Sequence, residues 1–578
     1  MKKFRGADAL AQTLQRAGVK HIFALSGNHI MPLFDALIDT DIELIHTRHE
    51  AACVHMADAY ARLTGRPGIA LVTGGPGHAN AVGALYTAQM SEAPVVLLSG
   101  HAPHDQLGLG SFQEMRQAEM AAPVTKASWV AASADSLSAD IARAMREAMS
   151  GRPGPVHLSL PTDALEGIAL KGNVLESVAA QGSRADADSF GCVPMALGAT
   201  DAQRALAWLG AAQRPLIITG AATLTRAGRA KLQMLENATG IAVVGMESPR
   251  GIHDPALGAF AEVLAQADRV LLIGKKVDFT LKFGKAFDAA CELMQMDAED
   301  DEIARARKAF GARLGLAVRA DALSSIAALT AAANARRSAG AASATASAGA
   351  NTGASAGASA GASAAAWLSE VHAAIAHRPA AWNSAQAASA GRLHPVEACR
   401  PLQSILDSHP DAVLISDGGE FGQWAQACLH APQRVINGPA GAIGAALPFA
   451  LGARAALPAT TGAPVIALMG DGTFGFHSAE FDTAVRHNLP FVLIVGNDAR
   501  WNAEYQIQLK SYGKERLFGC ELLPTRYDKV AEAFGGVGEL VTGAAQLLPA
   551  VLRALESQRP ACINVMIEGV PAPVVKRG

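Results

Sequence analysis

An uninterrupted apolar run, Val465-Ile466-Ala467-Leu468-Met469, stops at Gly470-Asp471-Gly472-Thr473. Residues 478–487 then read as a helix, and a second apolar run, Phe491-Val492-Leu493-Ile494-Val495, stops at Asn497-Asp498. A strand, a turn, a helix and a strand in this order form a parallel unit, because a crossover of that length lets the second strand lie beside the first in the same direction. The unit confines this part of the chain to an α/β fold. With the strands as neighbours about 4.8 Å apart, Asp471 and Asp498 end at one edge of the sheet. Two hard oxygen ligands beside a glycine turn that exposes backbone N–H groups suit a divalent cation carrying a diphosphate. A lone Gly-Asp-Gly is more often a tight turn, and the acidic residue at the end of the next strand is what favours the metal reading.

The same alternation recurs through the chain. From Gly6 to about Leu165 there are short apolar strands at His21-Ile22-Phe23-Ala24-Leu25, Ile42-Glu43-Leu44-Ile45, Gly68-Ile69-Ala70-Leu71-Val72 and Val95-Val96-Leu97-Leu98. Sheets of this kind carry ligands at the carboxyl ends of their strands. The loops to search are therefore Ser26-Gly27-Asn28-His29, Thr47-Arg48-His49-Glu50, Thr73-Gly74-Gly75-Pro76-Gly77 and Ser99-Gly100-His101. A second block has strands at Pro215–Thr219 and Arg269–Ile273, and no Gly-x-Gly-x-x-Gly follows either, so a dinucleotide fingerprint is absent. Residues 331–366 collapse to Ala, Gly and Ser, with three Gly-Ala-Ser-Ala tetrads from Gly353 to Ala364. Nothing large is available there to bury, and each glycine costs a helix about 1 kcal/mol, so a flexible, disordered linker is expected. The third block adds strands at Ala412–Ile415 and Ala561–Val565 to the two already described. The expected fold is α/β, with three doubly wound parallel-sheet domains at residues 1–185, 195–330 and 367–578 and the linker at 331–366.

A length of 578 residues is too great for one core and suits this division. A formal net charge of −3 and only a few basic clusters give no footprint for nucleic acid or an anionic membrane, and neither is expected as a partner, in contrast to a small-molecule substrate. The seven cysteines are scattered without a Cys-x-x-Cys pair and read as reduced thiols of a cytoplasmic protein. Met1-Lys2-Lys3 is followed by polar Asp8, Gln12, Gln15 and Arg16 where a signal peptide would be apolar, and Ala7, Leu10, Leu14 and Ala17 share one helical face instead. The Gly/Ala-rich run near 438–453 is broken by prolines, which argues against a membrane span.

Outside the linker the chain resembles the thiamine-diphosphate-dependent enzymes of the acetolactate synthase type. Arg48-His49-Glu50-Ala51-Ala52 with Ala57-Asp58-Ala59-Tyr60-Ala61-Arg62 resembles that family's glutamate helix. Thr73 to Gly77 with Asn80 resembles its next loop, and Phe112-Gln113-Glu114 its active-site glutamine segment. The resemblance implies a pyrimidine-binding, a middle and a diphosphate-binding domain in that order. It also implies a cofactor held between the first domain of one subunit and the third of another, hence a homodimer or homotetramer. It makes Glu50 the carboxylate that acts on the pyrimidine ring to promote removal of the thiazolium C2 proton, with Ala51, Ala52 and Val54 as an apolar surround that favours its protonated form. Read alone, Glu50 is more often a carboxylate favoured by the dipole at a helix start. For Mg²⁺ the resemblance assigns Asp471, Asp498 and the backbone carbonyl of Arg500. Asp498 replaces the usual asparagine and adds a negative charge. The remaining cofactor contacts it implies are Pro76 and Asn80, the loop Gly418-Gly419-Glu420-Phe421, Gly441 with Ile443, and Gly470-Asp471-Gly472-Thr473. Ile443 stands where the family has a methionine wedge, and its alternative is a core isoleucine beside Leu447.

The cofactor constellation does not choose among reactions. The expected function is a carboligase or lyase acting next to a carbonyl of 2-oxo acids or 2-hydroxyketones. An ordinary biosynthetic acetolactate synthase is disfavoured, because its tryptophan corresponds to Ile507 and its Asp-Asp-Arg stretch to Asp278-Phe279-Thr280. The segment from Gly274 to Gly284 is similar to 2-hydroxyacyl-CoA lyases, which makes a lyase or decarboxylase of that kind the alternative. Asn28-His29, Glu480-Phe481-Asp482-Thr483 and Arg559 to Val565 resemble benzaldehyde lyase. His29 is a candidate proton relay with Gln113 as its hydrogen-bonding partner, against the bland reading of a structural loop histidine. His101 and His104 are weaker candidates, as are Lys576-Arg577 for a CoA phosphate. FAD in the middle domain stays open, since some relatives carry it. A noncatalytic cofactor-binding regulator is the alternative of another class, disfavoured by retention of Glu50 together with the acidic pair.

Overall fold

The computed structural model describes residues 3–170, 190–347, 355–458 and 461–577. They divide into two compact units, Met1–Val193 with Ala385–Pro573, and Pro194–Ser384 with Val574–Gly578. The first unit contains two sheets. Its amino-terminal sheet has strands β1 (His21–Ala24), β2 (Glu43–His46), β3 (Gly68–Val72), β4 (Val95–His101), β5 (Ala127–Val130) and β6 (Val156–Pro161), all parallel, in the order β2-β1-β3-β4-β6-β5. β3 and β4 are buried on both faces, which is why they read as continuous apolar runs.

The second unit is built on β7 (Pro215–Thr219), β8 (Val243–Gly245), β9 (Arg269–Ile273), β10 (Glu292–Asp297) and β11 (Leu314–Arg319), parallel and ordered β11-β10-β9-β7-β8. The strand order reverses between β7 and β9, where Gly220 N–H donates to the Ile273 carbonyl at 3.3 Å. Two expectations are corrected here. Residues 331–347 continue the helix Ala322–Ser347, and 355–366 lie in the helix Ser355–Ala376; residues 348–354 of the expected linker lie outside the described residues. Alanine's helix preference outweighs the cost of the interspersed glycines. The third domain also begins later than residue 367. Trp367, Val371 and Ala374 are buried with Phe260, Leu264 and Val270 in the middle-domain core, and the Trp367 indole N–H donates to the Pro215 carbonyl at 3.0 Å.

The carboxyl-terminal sheet of the first unit has β12 (Val413–Ser416), β13 (Gln433–Ile436), β14 (Val465–Gly470), β15 (Val492–Asn497), β16 (Val537–Val541) and β17 (Ala561–Met566), ordered β13-β12-β14-β15-β17-β16. This repeats the amino-terminal sheet strand for strand. The two halves share one apolar core, in which the helices Glu50–Thr64 and Ala446–Ala456 meet through Ala52, Met56, Leu447, Phe449 and Ala450. Gly452 lets the backbones touch, since a Cβ there would lie 2.2 Å from the Met56 carbonyl oxygen. Arg62 ties the junction further, donating to the Ile436 carbonyl at 2.8 Å while its Nε pairs with buried Asp58 at 2.6 Å.

Candidate active site

At the carboxyl edge of the amino-terminal sheet, β1, β3 and β4 end close together. A Cβ at Gly27 would meet the Thr73 side chain at 2.3 Å, and one at Gly100 would meet the Cβ of His29 at 2.6 Å. His29 is thereby fixed and buried. Its Nδ1 lies 3.2 Å from the Thr73 hydroxyl, and its ring stacks on Phe112 with centroids 6.2 Å apart. Burial pushes its pKa below the usual histidine range, and the Phe112 backbone pulls the other way. The expected partner Gln113 is thus replaced by Thr73. Gln113 takes a left-handed φ of 57° and backs onto Gly75, whose missing Cβ would sit 2.7 Å from the Gln113 carbonyl oxygen.

Glu50 opens its helix, and His49 caps it by accepting the Ala51 N–H at 3.1 Å. The Glu50 carboxylate accepts from Asn80 Nδ2 at 3.0 Å, and a Cβ at Gly77 would stand 3.3 Å from Glu50 Oε1. Asn80 is carried by the helix Pro76–Met90, with Pro76 at its first position and Gly75 as N-cap at φ 59°. The expected apolar surround of Glu50 is corrected: Ala52 and Val54 are buried in the core, because residues one to four positions on along a helix do not all flank the same side chain. The half-buried Glu50 lies among Asn80, Gly77 and Thr73 instead.

Gln117 carries no sequence signal at this edge, and Glu480 is marked only within a family-like segment, without a role. Gln117, 1 % exposed, accepts the Gly75 N–H at 2.7 Å and donates to the Gly100 carbonyl at 3.0 Å and to Ser159 at 3.1 Å, joining the ends of three strands. Glu480, from the carboxyl-terminal half, accepts the Arg48 N–H at 3.1 Å and the Thr483 hydroxyl at 2.7 Å, which fixes the approach to Glu50. The weaker histidines are engaged elsewhere. His101 faces the Ala102 and Met115 carbonyls, and His104 pairs with Asp163 at 2.9 Å. In the other unit Arg577 pairs with Glu262 at 3.0 Å and Glu370 at 2.5 Å, so its guanidinium is committed within the protein.

In the carboxyl-terminal sheet Gly470 pairs in register with Gly496, so Asp471 and Asp498 leave neighbouring strands at one edge, as the apolar runs imply. Asp471 begins a short helical turn and Thr473 closes it by donating to the Gly470 carbonyl at 3.0 Å. Gly472 admits the Trp501 ring, which a Cβ would meet at 2.7 Å. The two carboxylates are buried beside one another. Burial pushes Asp471 up to about 6, and burial together with the Asp471 charge pushes Asp498 up to about 8. Asp471 Oδ2 is a buried oxygen without a partner. Ala499 is held at φ 59° beside the pair, orienting the backbone into Arg500, whose guanidinium lies over the Tyr505 ring at 4.3 Å. A crowded acidic pair with an orphan oxygen fits a hard divalent cation, which would remove the repulsion between them.

The remaining loops converge on the same edge. Gly418 is the N-cap and Gly419, at φ 74°, the first residue of the helix Gly419–Cys428, with half-buried Glu420 in its first turn. Phe421 is corrected: it turns into the core against Gly496, where a Cβ would meet its ring at 2.5 Å. Gly441 has φ 68°, and half-buried Ile443 stands over Gly418, whose missing Cβ would be 2.9 Å from Ile443 Cγ2. Leu447 is fully buried, whereas Ile443 lies outside the core clusters. The Gly441 carbonyl and the Ile443 N–H have no partner among the described residues. An apolar side chain flanked by a free acceptor and a free donor fits the amino-substituted edge of a pyrimidine.

The comparisons with known proteins agree with this geometry. The family description "Thiamine pyrophosphate enzyme, N-terminal TPP binding domain" matches residues 4–120, and "Thiamine pyrophosphate enzyme, C-terminal TPP binding domain" matches residues 417–565. A probable acetolactate synthase of Mycobacterium bovis is 30% identical over 572 residues, covering 97% of this chain and 95% of that protein. The 2-hydroxyacyl-CoA lyase 2 proteins of Bos taurus and Homo sapiens are each 29% identical over 605 residues, covering 97% of this chain and 90% of theirs. The chain belongs to the thiamine-diphosphate-dependent enzymes of the acetolactate synthase type.

Proposed function

We propose that the protein makes or breaks the carbon–carbon bond next to a carbonyl of 2-oxo acids or 2-hydroxyketones, with Mg²⁺ as the second cofactor. The observation that carries this reading is the retention of Glu50, hydrogen-bonded to Asn80, together with the buried pair Asp471 and Asp498. Thiamine diphosphate, when bound, supplies a carbon nucleophile that also stores the electron pair released when the neighbouring bond breaks. The chain's own residues bind, orient and move protons. Asp471, Asp498 and the Arg500 carbonyl hold the metal, and Gly418, Gly419, Glu420, Gly470, Gly472 and Thr473 line the diphosphate. Gly441 and Ile443 support the pyrimidine, and Pro76 and Asn80 complete its site around Glu50, which holds a proton at its carboxylate. His29 exchanges a proton with the substrate oxygen from its ring, and Gln113 borders the same space.

Within one chain Glu50 is partnered by Asn80, and no described hydrogen bond or ion pair joins it to Gly441, Ile443, Asp471 or Asp498. This supports a homodimer or homotetramer in which each site takes its two halves from different subunits. No helix among the described residues is long and apolar enough to cross a membrane. That none of the cysteines is in a disulfide among the described residues supports the cytoplasm as its place. The middle domain offers the crevice between Gly220 and Gly274 but no glycine-rich dinucleotide turn, so no step is assigned to FAD. Flavin absorption of the purified protein reads its presence directly.

A second reading, 2-hydroxyacyl-CoA lyase or decarboxylase, is favoured by the near-full-length bovine and human relatives of that name. Mass spectrometry of products from 2-oxo acids, aldehydes and 2-hydroxyacyl-CoAs, each supplied with thiamine diphosphate and Mg²⁺, separates the two. A product from no donor would move the protein to a noncatalytic regulator. Glu50→Gln is expected to lower turnover about 10²–10⁴-fold, the usual worth of a positioned acid–base group. Full turnover in that variant would remove Glu50 from the mechanism.

A further inference from the structure

Asp417, the residue after β12, is fully buried, and its carboxylate accepts backbone N–H groups from two loops. Gly418 N–H approaches Oδ1 at 2.7 Å, Gly444 N–H lies 3.1 and 2.9 Å from the two oxygens, and Ala446 N–H is 3.4 Å from Oδ2. Its own N–H donates to the Leu468 carbonyl at 3.0 Å, tying it to β14 two residues before Gly470. Across the same loop Asn437, 2 % exposed, donates from Nδ2 to the Ala442 carbonyl at 2.6 Å. Only an acceptor-only group can satisfy so many converging donors, which is why a carboxylate stands here.

The pattern of use along the loop is selective. The Ala442 carbonyl and the Gly444 and Ala446 N–H groups are consumed by Asn437 and Asp417. The intervening Gly441 carbonyl and Ile443 N–H are left without partners among the described residues. A tie that merely braced the fold would have no reason to spare those two groups, each of which costs free energy if it is desolvated unpaired. We infer that Asp417 and Asn437 are positioning residues that shape the 437–446 loop so that Gly441 and Ile443 present a ready-made acceptor and donor to the aminopyrimidine ring of thiamine diphosphate. The inference rests on the cofactor reading above. The hydrogen bond of Asn437 reaches the pyrimidine side alone, whereas Asp417, through the Gly418 N–H, also shapes the diphosphate side.

The two ends of the cofactor can be probed separately. Binding of thiamine diphosphate and of inorganic pyrophosphate, each with Mg²⁺, is measured by intrinsic fluorescence on the wild-type protein and on the Asn437→Ser and Asp417→Asn variants. Asn437→Ser is expected to weaken thiamine diphosphate about tenfold, the worth of a misplaced hydrogen-bonding pair, with pyrophosphate unchanged. Asp417→Asn is expected to weaken both and to abolish the near-ultraviolet circular dichroism of the bound pyrimidine. An Asn437→Ser protein with lowered thermal stability but an unchanged ratio of the two affinities would make the residue a structural brace and overturn the inference. Should Asp417→Asn fail to fold, the ratio in Asn437→Ser decides alone. A wild-type protein that binds pyrophosphate but not thiamine diphosphate would instead sink the cofactor reading, and the inference with it.

Discussion

Glu480 shows how one buried side chain links the two halves of the first unit. It is 1 % exposed, and burial pushes its carboxyl up to about 7, with Thr483, the Arg48 and His49 backbone and the Arg486 charge opposing. Between the unfolded pKa of about 4.3 and about 7, the folded chain keeps a proton that the unfolded chain loses. The stabilisation is therefore complete at low pH and fades as pH rises through 7. Glu480→Gln should leave the melting temperature nearly unchanged at pH 4 and raise it at pH 8, by about 1–3 kcal/mol in stability. Thermal unfolding across that range checks this, and equal shifts at both ends would contradict it. His477 at the same junction works in the opposite direction. Burial pushes it down to about 4, so its contribution is lost as pH falls from about 6.5. At the proposed metal pair the added charge of Asp498 should matter most: Asp498→Asn is expected to weaken Mg²⁺ binding about tenfold, read by titrating Mg²⁺ against cofactor binding, a change of about 1.4 kcal/mol. Asp471 and Asp498 were legible in the sequence because each interrupts a continuous apolar strand at its end. Gln117, Asp417 and Asn437 were not legible in their roles, because hydrogen bonds between distant loops impose no periodicity.

Among the elements, most of the strands that could be read were those buried on both faces, with half-exposed β2 read as well and buried β10 missed. β6 escaped notice because Val156-His157-Leu158-Ser159 places buried polar residues inside it, paired with Ser128 at 2.8 Å and with Gln117 at 3.1 Å. β5 and β16 are largely half-exposed and carry no long apolar run. The Ala/Gly/Ser segment misled for a different reason, since composition without large side chains is silent about whether a helix continues from a packed start such as Ala322 to Ala333. The helix contact at Gly452 was invisible as well, because a glycine within an Ala-rich helix reads as a weak former rather than a point of backbone contact. Gly452→Ala would drive a methyl group to 2.2 Å from the Met56 carbonyl oxygen. Overpacking of this kind should cost about 1–3 kcal/mol in denaturant unfolding, despite alanine's better helix propensity. A neutral or stabilising result would mean that the two helices slide apart freely.

For the whole molecule, the repeated strand order of the two sheets explains why the candidate residues divide into two sets at equivalent sheet edges, Glu50 with Asn80 in one and Asp471 with Asp498 in the other. If each site joins sets from different subunits, mixing Glu50→Gln chains with Asp471→Asn chains should restore about a quarter of wild-type turnover, because half the dimers are mixed and each of these has one intact site. Activity no greater than that of the parent variants after subunit exchange would place both sets of one site in the same chain. The interrupted path of the first unit also bears on how the protein is made. Met56 waits for a partner, Gly452, that is translated nearly four hundred residues later, roughly 20–80 s at ordinary elongation rates. During that interval the middle domain emerges while the apolar side of the helix Glu50–Thr64 stays uncovered. The nascent amino-terminal half is thus the stage of biosynthesis most in need of a chaperone.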